Sequence, residues 1–297
     1  MERLLRAQAG EISLIVEDAD GDQVPATGPG GAGLPSVAVV DSAGAPVAGS
    51  PFASLLRGGT TGTYDAQIPP GATAVLDEYE ATWTFRSQGI TVDETERRRF
   101  KVVGAHLFTV AQLRATDPEL ASSTNYPGRV VIRARDHVEE RFEEITGIAF
   151  TPQGRRVSLQ GSGNQLLTLP DLYASRVVSA VIDGVALGAP ALADITIHPA
   201  GFLERKTLGA WVSGPGLNTT VFYEYGLTSP PDPIVRGGLL LARHLLLRKA
   251  LENERATAVF TDIGGYRLSI AGREGPTGLP EVDAVLAEYA RPAAAFA

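Results

Sequence analysis

Residues 127–147 read PGRVVIRARDHVEERFEEITG, a pattern that predicts a long amphipathic helix. Its apolar side chains recur at spacings of seven, four and three and therefore share one face: Val131, Val138, Phe142 and Ile145. The glutamates are expected to form a solvated face on the other side: Glu139, Glu140, Glu143 and Glu144. Pro127 suits the start of the helix, and Gly147 stands where a helix commonly ends.

Other helices and short strands are predicted on both sides of this stretch. Thr109 and Gln112 form a capping-box pattern, which predicts a helix running to about Leu120. A proline-rich segment precedes the strongest helical pattern, Ile234 to about Leu251, and a last helix is expected from Pro280 to Ala290. The predicted strands between these helices are Val177–Val185, Ile195–Ile197, Thr219–Tyr225 and a hairpin of Ala256–Ile263 with Tyr266–Ala271.

The first hundred residues show the two-residue period of strands instead. Ile12, Leu14 and Val16 alternate with polar residues, as in a half-buried strand. An internal echo follows, because one spacing of Asp, Gly and Val occurs twice, at Asp18, Gly21 and Val24 and at Asp41, Gly44 and Val47. Further strands are expected at Val37–Val40, Gly62–Ile68, Tyr79–Ser87 and Ile90–Val103.

Strands this short favour a β-sandwich of the immunoglobulin-like type, and the period changes to helical after Gly104. We therefore expect an α+β protein with two domains. Residues 1–104 would form the β-sandwich, and residues 105–297 a mainly helical domain with β-hairpins.

Composition limits the functions to be considered. The chain has 297 residues, 44% of them hydrophobic and 20% charged, which is typical of a globular protein. Its net charge of −8 argues against a protein that grips duplex nucleic acid tightly. Cysteine is absent, which excludes disulfides, thiolate zinc sites and a cysteine nucleophile. The first ten residues lack the apolar run of a signal peptide, so a soluble, non-secreted protein is expected.

Short motifs give no sign of catalysis. Gly28–Gly33 matches the dinucleotide-binding G-x-G-x-x-G literally, but a strand rather than a helix is predicted to follow it. Asp18 opens a calcium-like Asp-x-Asp-x-Asp run whose twelfth position is Pro29 rather than glutamate. None of the four histidines pairs with another at the i, i+4 spacing of a helical metal site. We expect no catalytic residue, no cofactor and no metal.

The chain from Phe108 onward resembles the head-to-tail adaptor, or connector, proteins of long-tailed bacteriophages. The resemblance covers about 190 residues and rests on the order and spacing of several short motifs. They are Phe108-Thr109, Leu113-Arg114, Tyr126-Pro127, Arg135, Glu143-x-x-Thr146-Gly147-x-x-Phe150-x-Pro152, Val178–Gly184, Tyr225-Gly226, Tyr266-Arg267-Leu268, Gly272 and Gly278–Leu286. The β-rich first hundred residues are a departure from that family, and resemble the immunoglobulin-like modules found on phage structural proteins.

This resemblance implies a structural protein without enzymatic activity. It implies a homo-oligomeric ring, usually a dodecamer, that binds the portal protein on one side and a stopper or tail-side neck protein on the other. Packaged DNA would touch the ring transiently and without sequence specificity, and no membrane contact is implied. The protein would be made in the host cytoplasm and reside in the neck of the virion.

Two sets of residues are candidates for contacts in such a ring. Arg236 and Arg243 lie seven residues apart on one helix face and are candidates for lining the DNA channel, with a solvent face or intersubunit salt bridges as the alternative. The C-terminal segment is a candidate for portal or intersubunit contact, with packing on its own subunit as the alternative. Its contact residues would be Leu279, Val282, Val285, Leu286, Tyr289 and Phe296.

A second function class stays open for the β-rich part. It would be a module that binds carbohydrate or a host surface, joined to a helical oligomerisation domain. Tyr79, Trp83 and Phe85 would be its stacking residues. Their alternate spacing places them on one strand face, which favours a core position instead.

Overall fold

The structure is a computed structural model of a mixed α+β chain. It describes residues 1–18, 20–58, 60–206, 209–212, 216–247 and 275–291, and the backbone of 258–261 and 264–267. Residue contacts divide the chain into two units, Met1–Ala105 with Pro152–Tyr225, and His106–Thr151 with Gly226–Ala297. This grouping places residues 152–225 with the N-terminal part, whereas the division into domains 1–104 and 105–297 stays a prediction.

The first unit begins with an eight-stranded, nearly closed sheet. Its strands are β1 Glu2–Leu5, β2 Gly10–Ile15, β3 Ala26–Thr27, β4 Ser36–Val40, β5 Phe52–Leu56, β6 Thr63–Ile68, β7 Asp77–Ser87 and β8 Glu94–Val103. They pair in the order β1-β8-β7-β4-β5-β6-β2, with β3 also on β7. The pairing of β4 with β5 covers only two residue pairs, Ser36 with Ala53 and Val37 with Phe52.

This sheet encloses one apolar core. Alternate residues of β7 point inward, and Trp83 is completely buried among them. Ile12 and Leu14 of β2 are buried on the facing side, as the alternation predicts. Every member of the core cluster lies between Leu4 and Val102, so the sheet buries its apolar side chains within residues 1–104.

The internal echo in the sequence is confirmed as two turns of the same construction. Asp18 Oδ1 accepts hydrogen bonds from the backbone N–H groups of Asp20 and Asp22 at 3.0 and 2.9 Å. Asp41 Oδ1 accepts equivalent bonds from Ala43 and Ala45, both at 2.9 Å. The glycine of each turn has a positive φ, 86° at the first and 80° at the second, which explains the Asp-x-x-Gly spacing.

Residues 153–225 form two smaller sheets. Their elements are β9 Gln153–Leu159, β10 Leu166–Thr168, β11 Arg176–Ile182, β12 Val185–Ala186, helix α3 Ala189–Ala193, β13 Ile195–His198, β14 Phe202–Arg205 and β15 Thr219–Tyr225. The strand orders are β12-β11-β15-β9 and β10-β14-β13. Because strands dominate this segment, the mainly helical character predicted for residues 105–297 is not confirmed.

The second unit contains the predicted helices. They are α1 Val110–Ala115, a 3-10 helix Pro118–Ala121, α2 Gly128–Thr146, α4 Asp232–Leu247 and α5 Pro280–Tyr289, with a hairpin of β16 Ala258–Thr261 and β17 Gly264–Arg267. The capping box of Thr109 and Gln112 is confirmed, and Gly147 ends α2 with a φ of 69°. The expected helix to Leu120 is wrong, because Asp117 is extended before Pro118 and interrupts it.

The core of this unit lies where α2, α4 and α5 meet. Val131, Val138 and Phe142 are completely buried, as the spacing on α2 predicts. A Cβ atom placed on Gly237 of α4 would lie 3.8 Å from both Phe142 and Val282, so these helices pack closely. None of the described helices is long and apolar enough to cross a bilayer. The rest of the predicted segments 234–251 and 256–271, including Arg248 and Lys249, lies outside the described residues.

Candidate functional site

A small groove between α4 and α5 brings the two sets of predicted contact residues together. Its volume is about 250 Å³, and its walls include Arg236, Leu240, Val282 and Val285. Arg236 comes from the channel-lining set and the two valines from the C-terminal set, although they are far apart in the chain. Leu240 was not singled out from the sequence. Its side chain is 43% exposed beside the groove, and an exposed leucine on an otherwise packed helix is the signal that marks it.

The predicted C-terminal contact residues are largely used inside their own unit. Val282 and Leu286 are 1% and 0% exposed, so they hold α5 against the other helices. Tyr289 is half-buried, and its ring packs edge-to-face on Phe150 at 6.1 Å. Leu279 and Val285 are also half-buried. The alternative of packing on the same subunit therefore accounts for the most buried members, while Phe296 lies outside the described residues.

The two arginines proposed to line a channel are in different environments. Arg243 donates to Asp117 Oδ2 from Nη2 at 2.8 Å and from Nε at 3.1 Å. The pKa of Asp117 is lowered by the Glu119 backbone N–H group that it accepts and, further, by this guanidinium. Arg236 is exposed and forms no ion pair with any described residue. Arg236 is thus the one of the two without an ion pair among the described residues, although Asp232 and Glu281 line the same groove, and channel lining stays a prediction.

A buried polar cluster was missed by the sequence analysis. His106, Asp136 and Glu139 place their ligand atoms within 4.8 Å of one another. The expectation that Glu139 is solvated is wrong, since it is 3% exposed and its Oε1 accepts the Leu107 N–H group at 2.7 Å. Burial raises the pKa of Asp136, although the neighbouring guanidinium of Arg135 opposes the shift. The available signal was the i, i+3 pair of acids on the helix face toward α1.

A larger, polar cleft of about 630 Å³ lies within the first unit. Its basic side chains are engaged by neighbouring groups. Arg156 donates to Ser42 Oγ at 3.1 Å, and Ser42 in turn donates to Asp77. Lys101 donates to Gln153, and Arg99 lies 3.4 Å from Glu78. Burial raises the pKa of Asp77, against the hydrogen bonds from Ser42. The basic side chains of the cleft are therefore paired with neighbouring polar and acidic groups, and the cleft does not present a surface of one charge.

The remaining sequence candidates have structural roles. Tyr79, Trp83 and Phe85 are 3%, 0% and 6% exposed, so they belong to the core and form no stacking platform. Residues 28–33 form a loop around a short 3-10 helix, in which the Gly30 N–H group donates to the Asp93 carboxylate. Asp18, the first residue of the calcium-like run, uses its carboxylate to close a turn.

Comparisons with known proteins give no family. No protein-family model matches the chain, and no curated protein matches it. Among solved structures, it is similar to a chain from the neck of an empty GTA particle, at 16% identity over 63% of this chain and 90% of that one, with a TM-score of 0.41. It is also similar to a family 123 glycoside hydrolase from Clostridium perfringens, at 11% identity over 46% and 26%, with a TM-score of 0.12. TM-scores this low carry no argument about fold or function.

Proposed function

We propose that the chain is a structural subunit of the neck of a phage-like particle. In this role it forms a ring, a dodecamer in the assembled neck, that joins the portal to the tail and extends the DNA exit channel. It acts without catalysis. Residues 1–104 form a separate β-sandwich of the immunoglobulin-like type attached to the adaptor. The proposal rests on one observation. The motifs on which the resemblance to adaptor proteins rests form the contacts that hold the segments of one helical unit together.

The first set of these contacts fixes the segment between α1 and α2. Arg114 donates to the carbonyl oxygens of Leu120 and Tyr126, at 2.7 and 2.8 Å, and so ties the turn together. Tyr126 is itself buried, and its hydroxyl donates to Glu119 at 2.9 Å. The paired residues Leu113-Arg114 and Tyr126-Pro127 of the resemblance therefore belong to one local structure.

A second set of contacts connects the segment after α2 with the segment before α4. Gly226 has a φ of 98°, and a Cβ atom there would lie 2.2 Å from the carbonyl oxygen of Thr151. The adjacent Leu227 N–H group donates to Ala149 at 3.1 Å. Only glycine fits this close approach. The motifs around Thr146-Gly147 and Tyr225-Gly226, which are 79 residues apart in the chain, thus meet in space.

The groove between α4 and α5 is the surface that we assign to the portal protein or to a neighbouring subunit of the ring. It combines the exposed Leu240 with charged residues in its walls, which are Arg236, Asp232 and Glu281. An apolar centre with a charged rim is the usual composition of a protein interface. The net charge of −8 suits a conduit, because strong attraction to phosphates would retard the moving DNA.

Electron microscopy of the purified full-length chain tests this proposal. Particles should show a ring with a central channel, alone or after mixing with the portal protein of the same particle. A control with the portal protein alone identifies the added density. A chain that remains monomeric at high concentration and adds no density to the portal would contradict the proposal.

A further inference from the structure

The cluster of His106, Asp136 and Glu139 has the composition of a metal site rather than of a hydrogen-bonded core network. The two acids are one helical turn apart on α2, and His106 lies just before α1. The carboxylates are 4% and 3% exposed, and the imidazole side chain is 10% exposed. One nitrogen and carboxylate oxygens form a donor set that suits a divalent transition metal such as Zn²⁺.

A second observation points to a ligand in this cluster. The His106 Nδ1 atom is buried, and among the described residues it has no hydrogen-bond partner. It faces Glu139 Oε1 across 3.5 Å, which is longer than a hydrogen bond. An ion bound at about 2.0–2.2 Å holds adjacent ligand atoms about 3–3.5 Å apart. The spacing of these two atoms therefore fits two ligands of one ion better than a donor and its acceptor.

Neighbouring hydrogen-bond donors orient the two carboxylates. Metal ligands are oriented in the same way by groups outside the coordination sphere. The Leu107 N–H group donates to Glu139 Oε1 at 2.7 Å, and Arg135 donates to Asp136 Oδ1 from Nη2 at 2.9 Å. Such outer contacts fix the direction of a carboxylate and are typical of metal centres. A divalent cation bound here would add positive charge beside these two buried carboxylates.

We infer that His106, Asp136 and Glu139 bind one divalent transition-metal ion that fastens the segment before α1 to α2. The ion would be structural, because both carboxylates are buried and the imidazole side chain is 10% exposed. Asp136 is the third ligand, because one of its carboxylate oxygens lies within 4.8 Å of the ligand atoms of His106 and Glu139. This inference is independent of the neck function, and it replaces the expectation of no metal that the histidine spacing suggested.

Zinc titration of the full-length protein tests the inference. After treatment with EDTA and dialysis, the wild-type chain should bind one Zn²⁺ per chain by calorimetry and elemental analysis, and its Tm should rise on binding. The Glu139→Gln variant keeps a carbonyl oxygen for the Leu107 N–H group but removes a ligand charge. It should bind Zn²⁺ at least about tenfold more weakly and lose the rise in Tm. Glu144→Gln, an exposed acid on the same helix, is the matched control and should bind like wild type.

Two further measurements distinguish the loss of a metal ligand from misfolding of a variant. His106→Asn places a weak ligand near the position of Nδ1 and should also weaken binding, with circular dichroism to establish folding. Zinc-edge X-ray absorption of the wild-type complex should show one imidazole nitrogen together with oxygen ligands. No binding by the wild-type chain, equal binding by Glu139→Gln, or a spectrum without imidazole would each overturn the inference.

Discussion

Single glycines decide where backbone segments of this protein approach one another. A Cβ atom on Gly154 of β9 would lie 1.8 Å from the carbonyl oxygen of Leu76, just before β7. The neighbouring Gly104 N–H group donates to the Pro152 carbonyl oxygen at 2.8 Å. Neither contact can be read from the sequence, because a glycine required for close approach looks like any other glycine. These contacts are why residues 152–225 group with the N-terminal sheet rather than with the helices.

The substitution Gly154→Ala should lower the free energy of unfolding by about 1–3 kcal/mol, the usual range for an overpacked site. The added methyl group meets backbone rather than a movable side chain, so β9 must shift away from Leu76. Gly71→Ala is the control, since a Cβ atom there has nothing within 4 Å. Denaturant unfolding measures both. Equal stability of the two variants would show that β9 does not lie against Leu76.

The two Asp-x-x-Gly turns should depend equally on their aspartates. Each carboxylate accepts two backbone N–H groups, so Asp18→Ala and Asp41→Ala should each cost about 0.5–1.5 kcal/mol of stability. Asp18→Asn and Asp41→Asn keep an acceptor oxygen and should cost less. Asp20→Ala is the control, because Asp20 contributes to the first turn only through its backbone. Thermal unfolding measures the stability of all five variants. An unchanged Tm for Asp41→Ala would contradict the shared construction of the two turns.

At the scale of elements, α4 carries one arginine that stabilises the unit and one that does not. Arg243 joins α4 to Asp117, the residue that caps the 3-10 helix Pro118–Ala121. Arg236, seven residues earlier, points to solvent beside the groove. Equal spacing on a helix face therefore does not give equal roles, because the role of each arginine depends on what the rest of the unit places opposite it.

Arg243→Gln should lower the Tm at neutral pH, whereas Arg236→Gln should leave it unchanged. The pKa of Asp117 is lowered in the folded protein, so its contribution is present above the ordinary value of 3.8 and is lost as the pH falls below it. The difference in Tm between Arg243→Gln and wild type should therefore shrink in acid. A difference that grows in acid, or a lower Tm for Arg236→Gln, would contradict this assignment.

Periodic and capped elements were the predictable part of the fold. The bounds of β15 agree with the predicted Thr219–Tyr225, and α5 is within one residue of its predicted range. The strands β1 and β5 were missed, since β1 has no alternation and β5 carries exposed Leu55 and Leu56. Glu139 was misplaced because the pattern of α2 shows one apolar face and gives no sign that the segment before α1 covers a second.

For the whole molecule, the arrangement of the core predicts that residues 1–104 fold alone. All members of the core cluster of the large sheet lie between Leu4 and Val102. The isolated segment should unfold cooperatively, with emission from its single tryptophan, Trp83, shifted to the blue by burial. It should be less stable than in the full chain, because the contacts with β9 are lost. The complementary chain, 105–297, should still form rings. A non-cooperative transition with solvent-like emission would refute the prediction for 1–104.

The last prediction separates the stability of the chain from its assembly. Deleting residues 278–297 would remove Val282 and Leu286 from the core, so loss of binding after that deletion would have two explanations.

A chain ending at Arg291 keeps α5 and removes Phe296. Leu240→Ser changes the groove in the full-length chain. Leu240→Ser should keep the wild-type Tm and weaken association, because Leu240 is 43% exposed and lines the groove where we place the partner. The chain ending at Arg291 tests the predicted contact of Phe296 and should also associate more weakly. Leu56→Ser, at a leucine 52% exposed in the other unit, is the matched control. Ring formation by microscopy and binding to immobilised portal protein distinguish the neighbouring subunit from the portal. Wild-type behaviour of both altered chains in both assays would show that neither the groove nor Phe296 is a contact.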